Sequence, residues 1–398
     1  IELSPVGHTV LQGTLAARGD NASIIINAHD TLELRGDLVA NRDIIITAGS
    51  AVKAGEASIT TYGTAHLVSE GGSGRVMITG LNNVVIDSRI VDLDLTTIDQ
   101  ITQVTMTDTR QALVNGAIRD LQLVQVLSNQ GTMTLGSNGV IDTGGQINLG
   151  GNNVSLQGWI KSQRNTASLL DYEVQVMGRK DVTISGTYNI DGSVAISAGN
   201  DVTVVNTRLM ADGAGQRLTI QATGNLLMGN ITPDVGVGAL SLPASAVVLE
   251  ASKALSLTAG GLLQLGGDAL LYAKEDNATL TLRGQTVRLA GSAFAGAYFN
   301  VNAAANADPT VWSGKGALLD VRANDGLEIG GKALRMDNGS PAHAVLVDAP
   351  AVMQATGEVR LRSGVAGLLV GAAAAVRADA TGGGRWADTT NVLATPDG

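Results

Sequence analysis

An all-β fold, a right-handed parallel β-helix or β-solenoid, is the class that this sequence predicts. Three observations lead to it: a short apolar pattern recurs along most of the chain, glycine is abundant while proline and aromatic residues are rare, and no long stretch has helical periodicity. The chain has 398 residues, of which 44% are hydrophobic and 3% aromatic, with 51 glycines and 7 prolines. Small and aliphatic side chains suit a narrow interior built from many short strands.

The recurring pattern is apolar-x-apolar-x-(Ala or Gly), three further residues, and then apolar-x-apolar. Its first copy is Ile24-x-Ile26-x-Ala28 followed by Leu32-x-Leu34. Each half alternates with a period of two, as a short strand with one buried face does. The residues between the halves are rich in Asn, Asp and Gly, which form tight turns. We therefore predict two strands joined by a corner, with a small residue just before the corner because a larger one would collide with the neighbouring coil. The predicted corner residues are Ala28, Ala48, Gly80, Gly151, Gly178, Ala198, Ala222, Ala251, Gly284, Ala323 and Ala349.

The intervals between these corners predict how the chain is organised. They run from 20 to 39 residues, apart from one of 71, and the shortest is long enough for one coil of a three-sided solenoid. We expect about 14 to 17 coils, wound right-handedly because crossovers between parallel strands almost always are. The prediction is a single β-helix rod segment over 1–398, with loop insertions at 87–103, 159–173, 230–245 and 292–316 and a less regular C-terminal end at 363–398.

Two segments, TLELRGDLVAN at 31–41 and VAISAGND at 194–201, resemble filamentous haemagglutinin repeats. The resemblance covers most of residues 9–362 and implies the β-helical shaft of a large exoprotein of a two-partner secretion system. It also implies export through an outer-membrane transporter, and a part in adhesion, biofilm formation or toxin delivery. The secretion module of that family carries an Asn-Pro-Asn signature, which does not occur here. The resemblance therefore implies that this chain is part of the shaft and not the secretion module.

Two Arg-Gly-Asp tripeptides are the candidate receptor-binding residues: Arg18, Gly19 and Asp20, and then Arg35, Gly36 and Asp37. On an exposed turn, such a tripeptide presents a guanidinium and a carboxylate to an animal integrin. The alternative is ordinary turn chemistry, in which Gly-Asp bends the chain and the arginine is surface decoration.

Composition and motifs argue against most catalytic, metal and nucleic-acid sites. The net charge is −10, without a basic stripe, which argues against nucleic-acid binding. The chain has no cysteine and only four histidines, so we expect no metal and no other cofactor. Asp92-x-Asp94 is the carboxylate pair closest in sequence, as a glycosidase would need, but no aromatic sugar platform accompanies it.

The function expected from the sequence is that of a structural and adhesive rod segment of an exported bacterial cell-surface protein, and not of an enzyme. The expected partners are a host-cell, bacterial or polysaccharide surface, with the transporter during export. Three alternatives stay open: a subunit of an extracellular filament that self-associates, a polysaccharide-active β-helix enzyme, and the stalk of a toxin-delivery protein.

Overall fold

The computed structural model divides the chain into two compact units, Ile1–Gly192 and Ser193–Gly398. Every regular element in the described residues is a β-strand. The described residues are 1–49, 57–63, 65–69, 75–80, 83–86, 89–91, 103–107, 111–120, 123–162, 172–229, 247–267, 269–299, 310–330, 332–336, 344–348 and 351–378.

The first unit winds through eight described coils, each contributing one strand to each of three parallel sheets. Sheet 1 contains β1 (Glu2–Leu3), β4 (Ile24–Ala28), β7 (Asp43–Ala48), β10 (Arg75–Gly80), β13 (Gln103–Thr107), the first parts of β16 (Leu123–Leu135) and β18 (Gln146–Leu156), and β20 (Val174–Gly178). Sheet 2 contains β2 (Thr9–Leu11), β5 (Leu32–Leu34), β8 (Ala57–Thr61), β11 (Asn83–Ile86), β14 (Gln111–Val114), the second parts of β16 and β18, and the first part of β21 (Val182–Asp191). Sheet 3 contains β3 (Leu15–Ala17), β6 (Leu38–Ala40), β9 (His66–Ser69), β12 (Arg89–Val91), β15 (Ala117–Asp120), β17 (Val140–Thr143), β19 (Trp159–Ser162) and the second part of β21.

The second unit repeats this plan in six described coils. Its sheet 1 contains β22 (Val194–Ala198), β24 (Arg217–Ala222), β27 (Ala254–Ala259), β30 (Thr279–Gly284), β35 (Leu318–Ala323) and β40 (Glu358–Arg362). Sheet 2 contains the first part of β23 (Val202–Asp212), β25 (Leu226–Met228), β28 (Leu262–Leu265), β31 (Thr286–Leu289), β36 (Gly326–Ile329) and β41 (Gly367–Val370). Sheet 3 contains the second part of β23, β26 (Val247–Ala251), β29 (Ala269–Ala273), β32 (Ser292–Ala295), β39 (Val352–Ala355) and β42 (Ala375–Ala378).

The predicted parallel β-solenoid is confirmed. Every strand pair between described coils is parallel, and the described coils, eight and six, agree with the expected number. A parallel pair needs a long crossover connection, and here each crossover consists of the other two sides of the coil. The handedness of the winding stays a prediction.

Columns of aliphatic side chains form the interior. In sheet 1 of the first unit, Ile26, Ile46 and Ile78 are register partners in successive coils, and none of the three is exposed to solvent. Burying such a side chain contributes about 1.5–3 kcal/mol. The period-two alternation of the sequence therefore becomes a continuous column because the coils stack in register.

Carboxylate and amide side chains link the coils at the corners. In the second unit, the Oδ1 atom of Asp201 accepts a hydrogen bond of 2.6 Å from the backbone N–H of Asn225. The Oδ1 atom of Asn225 in turn accepts one of 3.0 Å from the N–H of Leu262, one coil further on. These side chains bond to backbone groups at the turn between sheets 1 and 2, which explains why Asn and Asp recur there.

Small residues do stack at the ends of sheet 1 strands. The register places them in line as Ala28, Ala48 and Gly80, as Gly151 and Gly178, as Ala198 and Ala222, and as Gly284 and Ala323. At Gly178, a Cβ atom would lie 2.7 Å from Cγ2 of Val182 across the corner. A side chain there would force the corner open.

Ala251 precedes a different corner, the one between sheets 3 and 1. It ends a sheet 3 strand, β26, and aligns with Ala211 and Ala273, whereas the sheet 1 strands before and after it end at Ala222 and Ala259. Sheet 3 here has the same apolar-x-apolar-x-Ala spacing as sheet 1. Ala349 lies outside the described residues, and the strand before it belongs to an antiparallel pair and not to a coil.

Three of the segments predicted as insertions contain short coil strands. Segments 87–103, 159–173 and 292–316 contain β12, β19 and β32, which are all sheet 3 strands. Residues 230–245 lie outside the described ones, as do 92–102, 163–171 and 300–309 of the other three segments. Within the expected irregular end, 363–398, the described residues 363–378 contain β41 and β42, which complete the last described coil, and residues 379–398 lie outside the described ones. Two antiparallel pairs project between coils of the second unit: β33 (Ala297–Phe299) with β34 (Thr310–Ser313), and β37 (Lys332–Met336) with β38 (Ala344–Asp348).

Candidate functional site

The first Arg-Gly-Asp tripeptide lies on an exposed turn. Arg18, Gly19 and Asp20 connect β3 to β4 and are all exposed. The Gly19 carbonyl accepts hydrogen bonds from the N–H of Ala22, at 2.9 Å, and from Nδ2 of Asn41 in the next coil, at 3.1 Å. Within the described residues, neither the Arg18 guanidinium nor the Asp20 carboxylate forms an ion pair. The turn therefore holds the glycine in place and leaves both charged groups to solvent.

The second tripeptide is engaged within the protein. The guanidinium of Arg35 donates a 2.8 Å hydrogen bond to Oε2 of Glu33 and lies 4.7 Å from the centre of the Tyr62 ring. The hydrogen bond to Glu33 raises the pKa of Arg35. Asp37 accepts hydrogen bonds from His66 in the next coil. A Cβ atom on Gly36 would lie 1.9 Å from the backbone oxygen of Gly13, so the chain is packed tightly here. Of the two predicted sites, only the first has the geometry of an exposed ligand.

The carboxylate pair Asp92 and Asp94 lies outside the described residues. In the described part of the chain, no group of three or more His, Cys, Asp or Glu side chains could hold a metal ion. No helix that could cross a membrane occurs among the same residues.

Sheet 1 of the second unit carries three arginines in one outward column, which we call the arginine column: Arg283, Arg322 and Arg362. They are register partners in the last three described coils, on β30, β35 and β40. Strands in a sheet lie about 4.8 Å apart, so each arginine has a like charge as its nearest neighbour in the column. Like charges directly opposite one another destabilise a sheet. The alignment of these three arginines is therefore unfavourable within the sheet itself.

The nearby carboxylates neutralise only part of this charge. Asp320 points outward two residues before Arg322, with its side chain 17% exposed, and its Oδ2 atom lies 3.7 Å from Nη2 of Arg283. That distance exceeds the 2.7–2.9 Å typical of a charge-assisted hydrogen bond. The other oxygen, Oδ1, is shielded from solvent and has no hydrogen-bond partner. The described residues contain no ion pair for Arg322 or Arg362.

Glu358 is occupied by a fourth arginine, Arg360, on the same strand. Both of its oxygens accept hydrogen bonds from Arg360, each of 2.6 Å. These bonds lower the pKa of Glu358, and the charge of Arg362 lowers it further, so the carboxylate keeps its charge in mildly acidic solution. Glu358 and Arg360 thus satisfy each other and leave the arginine column available.

Uncharged polar side chains continue the surface onto the preceding coils. Below Arg283 the column contains Thr258 and Gln221, and the adjacent outward column contains Thr281 and Ser256. The described outward positions in these two columns carry no aromatic side chain. The result is a flat hydrogen-bonding strip that ends in a line of guanidinium groups.

Sequence reasoning missed this surface, because the arginines are separated by 39 and 40 residues and only the coil register brings them together. The sequence nevertheless contains a signal of the arginine column. Arg283 and Arg322 each directly precede a predicted corner residue, and Arg362 occupies the same place in the next coil. Aligning the repeats by their corners and comparing the outward positions would have found the column.

Comparison of the chain with family models, with curated proteins and with solved structures finds no match. The resemblance to filamentous haemagglutinin repeats stays a prediction, as does the absence of enzymatic activity.

Proposed function

We propose that this chain is a structural and adhesive segment of a large exported bacterial cell-surface protein. The observation that carries the proposal is the uninterrupted stacking of coils within each unit. Three parallel backbone ladders surround aliphatic columns such as Ile26, Ile46 and Ile78, and those side chains are fully buried. Each added coil extends the structure by one strand spacing, and such extension suits a part that projects other surfaces from a cell.

Two surface features support an adhesive part in this function. The Arg18-Gly19-Asp20 turn leaves a guanidinium and a carboxylate exposed in the first unit. In the second unit, the arginine column presents three outward guanidinium groups, of which those of Arg283 and Arg322 are exposed. Binding residues on a regular scaffold commonly lie on such turns and exposed strand faces, whose side chains can change without disturbing the core.

Antibody labelling of the source bacterium tests the proposal. Antibodies raised against the purified chain are expected to label intact cells of a strain that expresses the complete gene. Deleting the gene is expected to reduce attachment to animal cells, to other bacteria or to polysaccharide-coated surfaces. Labelling only after the envelope is permeabilised would contradict export to the surface, and unchanged attachment by the deletion strain would contradict the adhesive part. The deletion strain is the control for antibody specificity.

A subunit of an extracellular filament is the second candidate, and the outer edge of the last described coil favours it. In the described residues no strand pairs with the side of β40, β41 and β42 that faces away from the preceding coil. Val365, Leu369 and Val370 are exposed there, Val365 almost completely. An open strand edge with apolar side chains is a template for further pairing. Concentration-dependent filaments in electron micrographs of the purified chain would support this candidate, and a monomer at every concentration would contradict it.

A further inference from the structure

We infer that the arginine column and the polar strip below it bind a linear anionic polysaccharide that carries carboxylate groups. The inference rests on the proposed function and names the class of ligand that an adhesive segment would recognise through this face.

The spacing and direction of the arginines support this ligand. Arg283, Arg322 and Arg362 project from the same face of sheet 1 at intervals of about one strand spacing. A polymer lying along the column would place acidic groups beside successive guanidinium groups. Guanidinium donors match carboxylate oxygens in geometry and form strong charge-assisted bonds with them. Such a ligand would also remove the repulsion between neighbouring arginines.

The residues next to the column favour a sugar over a nucleic acid. Thr258, Thr281, Ser256 and Gln221 offer hydroxyl and amide groups, which exchange hydrogen bonds readily with sugar hydroxyls. Single-stranded nucleic acids are held largely by stacking on aromatic side chains, and the described outward positions of these two columns carry none. Duplex DNA has one charge per roughly 1.7 Å of axis, so a chain with a net charge of −10 repels it strongly. A polysaccharide with one carboxylate per sugar is less densely charged.

The partial neutralisation of the column leaves its donors ready for a ligand. Arg283 lies 3.7 Å from the Asp320 carboxylate, which is too long for a good hydrogen bond, and the described residues contain no ion pair for Arg322 or Arg362. Glu358, on the strand that carries Arg362, is held by Arg360. A ligand can therefore bind to the arginine column without breaking a strong ion pair within the protein.

A binding measurement on the intact chain tests the inference. The probes are polygalacturonate, neutral dextran and duplex DNA, and the variant is R283Q/R322Q/R362Q. The matched control, R179Q/K180Q/R208Q, removes three exposed positive charges that lie outside the arginine column. We expect the wild-type chain to bind polygalacturonate and not dextran, with affinity that falls as salt is added. The column variant should lose about tenfold or more in affinity, which is about 1.4 kcal/mol, and the control variant about twofold or less.

Several outcomes would overturn the inference. They are no binding of the wild-type chain to polygalacturonate, equal losses in the two triple variants, and tighter binding to DNA than to polygalacturonate. Circular dichroism and thermal unfolding establish that each variant is folded, and the single variant R322Q, at a fully outward position, provides a second measurement if the triple variant is not. Loss of binding with normal labelling of intact cells would contradict this inference alone. Binding by a chain that never reaches the cell surface would contradict only the proposed function.

Discussion

Oδ1 of Asp37 accepts a 3.1 Å hydrogen bond from the backbone N–H of His66 and lies 2.9 Å from Nδ1 of the same residue, which is in the next coil. Asp20, in the other Arg-Gly-Asp tripeptide, lies exposed on a turn. The same tripeptide sequence therefore has a different structural role at each of its two positions. One aspartate joins coils, and the other is available to a partner.

We expect any cell attachment that depends on an Arg-Gly-Asp sequence to be lost in D20A and retained in D37A. Asp20 is accessible, whereas Asp37 is engaged with His66. D37A should instead lower the free energy of unfolding by about 1 kcal/mol, since it removes coil-to-coil hydrogen bonds. Attachment of integrin-bearing cells, with a soluble Arg-Gly-Asp peptide as competitor, and thermal unfolding measure the two effects. Attachment that survives D20A and fails in D37A would reverse the assignment.

Shortening one inward side chain should destabilise the first unit strongly. I46A leaves a cavity between Ile26 and Ile78, and substitutions of this kind cost about 2–5 kcal/mol. M177A is the matched control, because Met177 points outward and is 61% exposed, and its effect should stay within about 0.5 kcal/mol. Urea unfolding of both variants measures the difference. Equal losses of unfolding free energy in I46A and M177A would show that the aliphatic column does not stabilise the first unit.

An ion pair with a buried carboxylate in the second unit predicts that a second substitution restores part of the stability lost in the first. Glu250 is only 9% exposed and pairs with Lys274, whose Nζ atom also lies 3.7 Å from Oδ1 of Asp212. K274M leaves the Glu250 carboxylate without its cation and should cost about 1–3 kcal/mol. The double variant E250Q/K274M removes the unpaired charge as well, so it should be more stable than K274M alone. A double variant less stable than K274M would contradict this account.

Tyr188 predicts a loss of stability in alkaline solution. Its side chain is buried, which raises its pKa above the usual value of about 10, and its hydroxyl donates a 2.9 Å hydrogen bond to the carbonyl of Ser185. Since the folded chain holds this proton more tightly than the unfolded chain, the contribution is complete below the unfolded pKa. It is lost as the pH rises from that value through the folded pKa.

An absorbance titration of phenolate formation, compared with unfolding at each pH, measures this effect. We expect Tyr188 to ionise only as the protein unfolds. Y188F should lack the late-titrating phenolate and should lose less stability than the wild-type chain across the alkaline range. Ionisation of Tyr188 in the folded chain near the usual pKa would contradict the prediction.

The repeat itself could be read from the sequence because it is local. Each half of the pattern spans three to five residues, so the alternation of Ile24 and Ile26 with outward side chains predicts a strand without knowledge of its partners. Corners are equally local, since Asn, Asp and Gly turn the chain within three residues. Ala251 shows the limit of this reasoning, because a strand from another sheet has the same spacing and its place in the coil depends on the register.

The sequence by itself determined that the chain forms short strands with one buried face, joined by tight corners and stacked in parallel around an aliphatic interior. Tertiary structure alone decided which side chains from different coils become neighbours. It separated the exposed Asp20 from the engaged Asp37, and it aligned Arg283, Arg322 and Arg362. The physical reason is distance along the chain. Alternation and turn formation depend on adjacent residues, whereas an outward column depends on the length of every intervening connection, which the solenoid accommodates without changing its core.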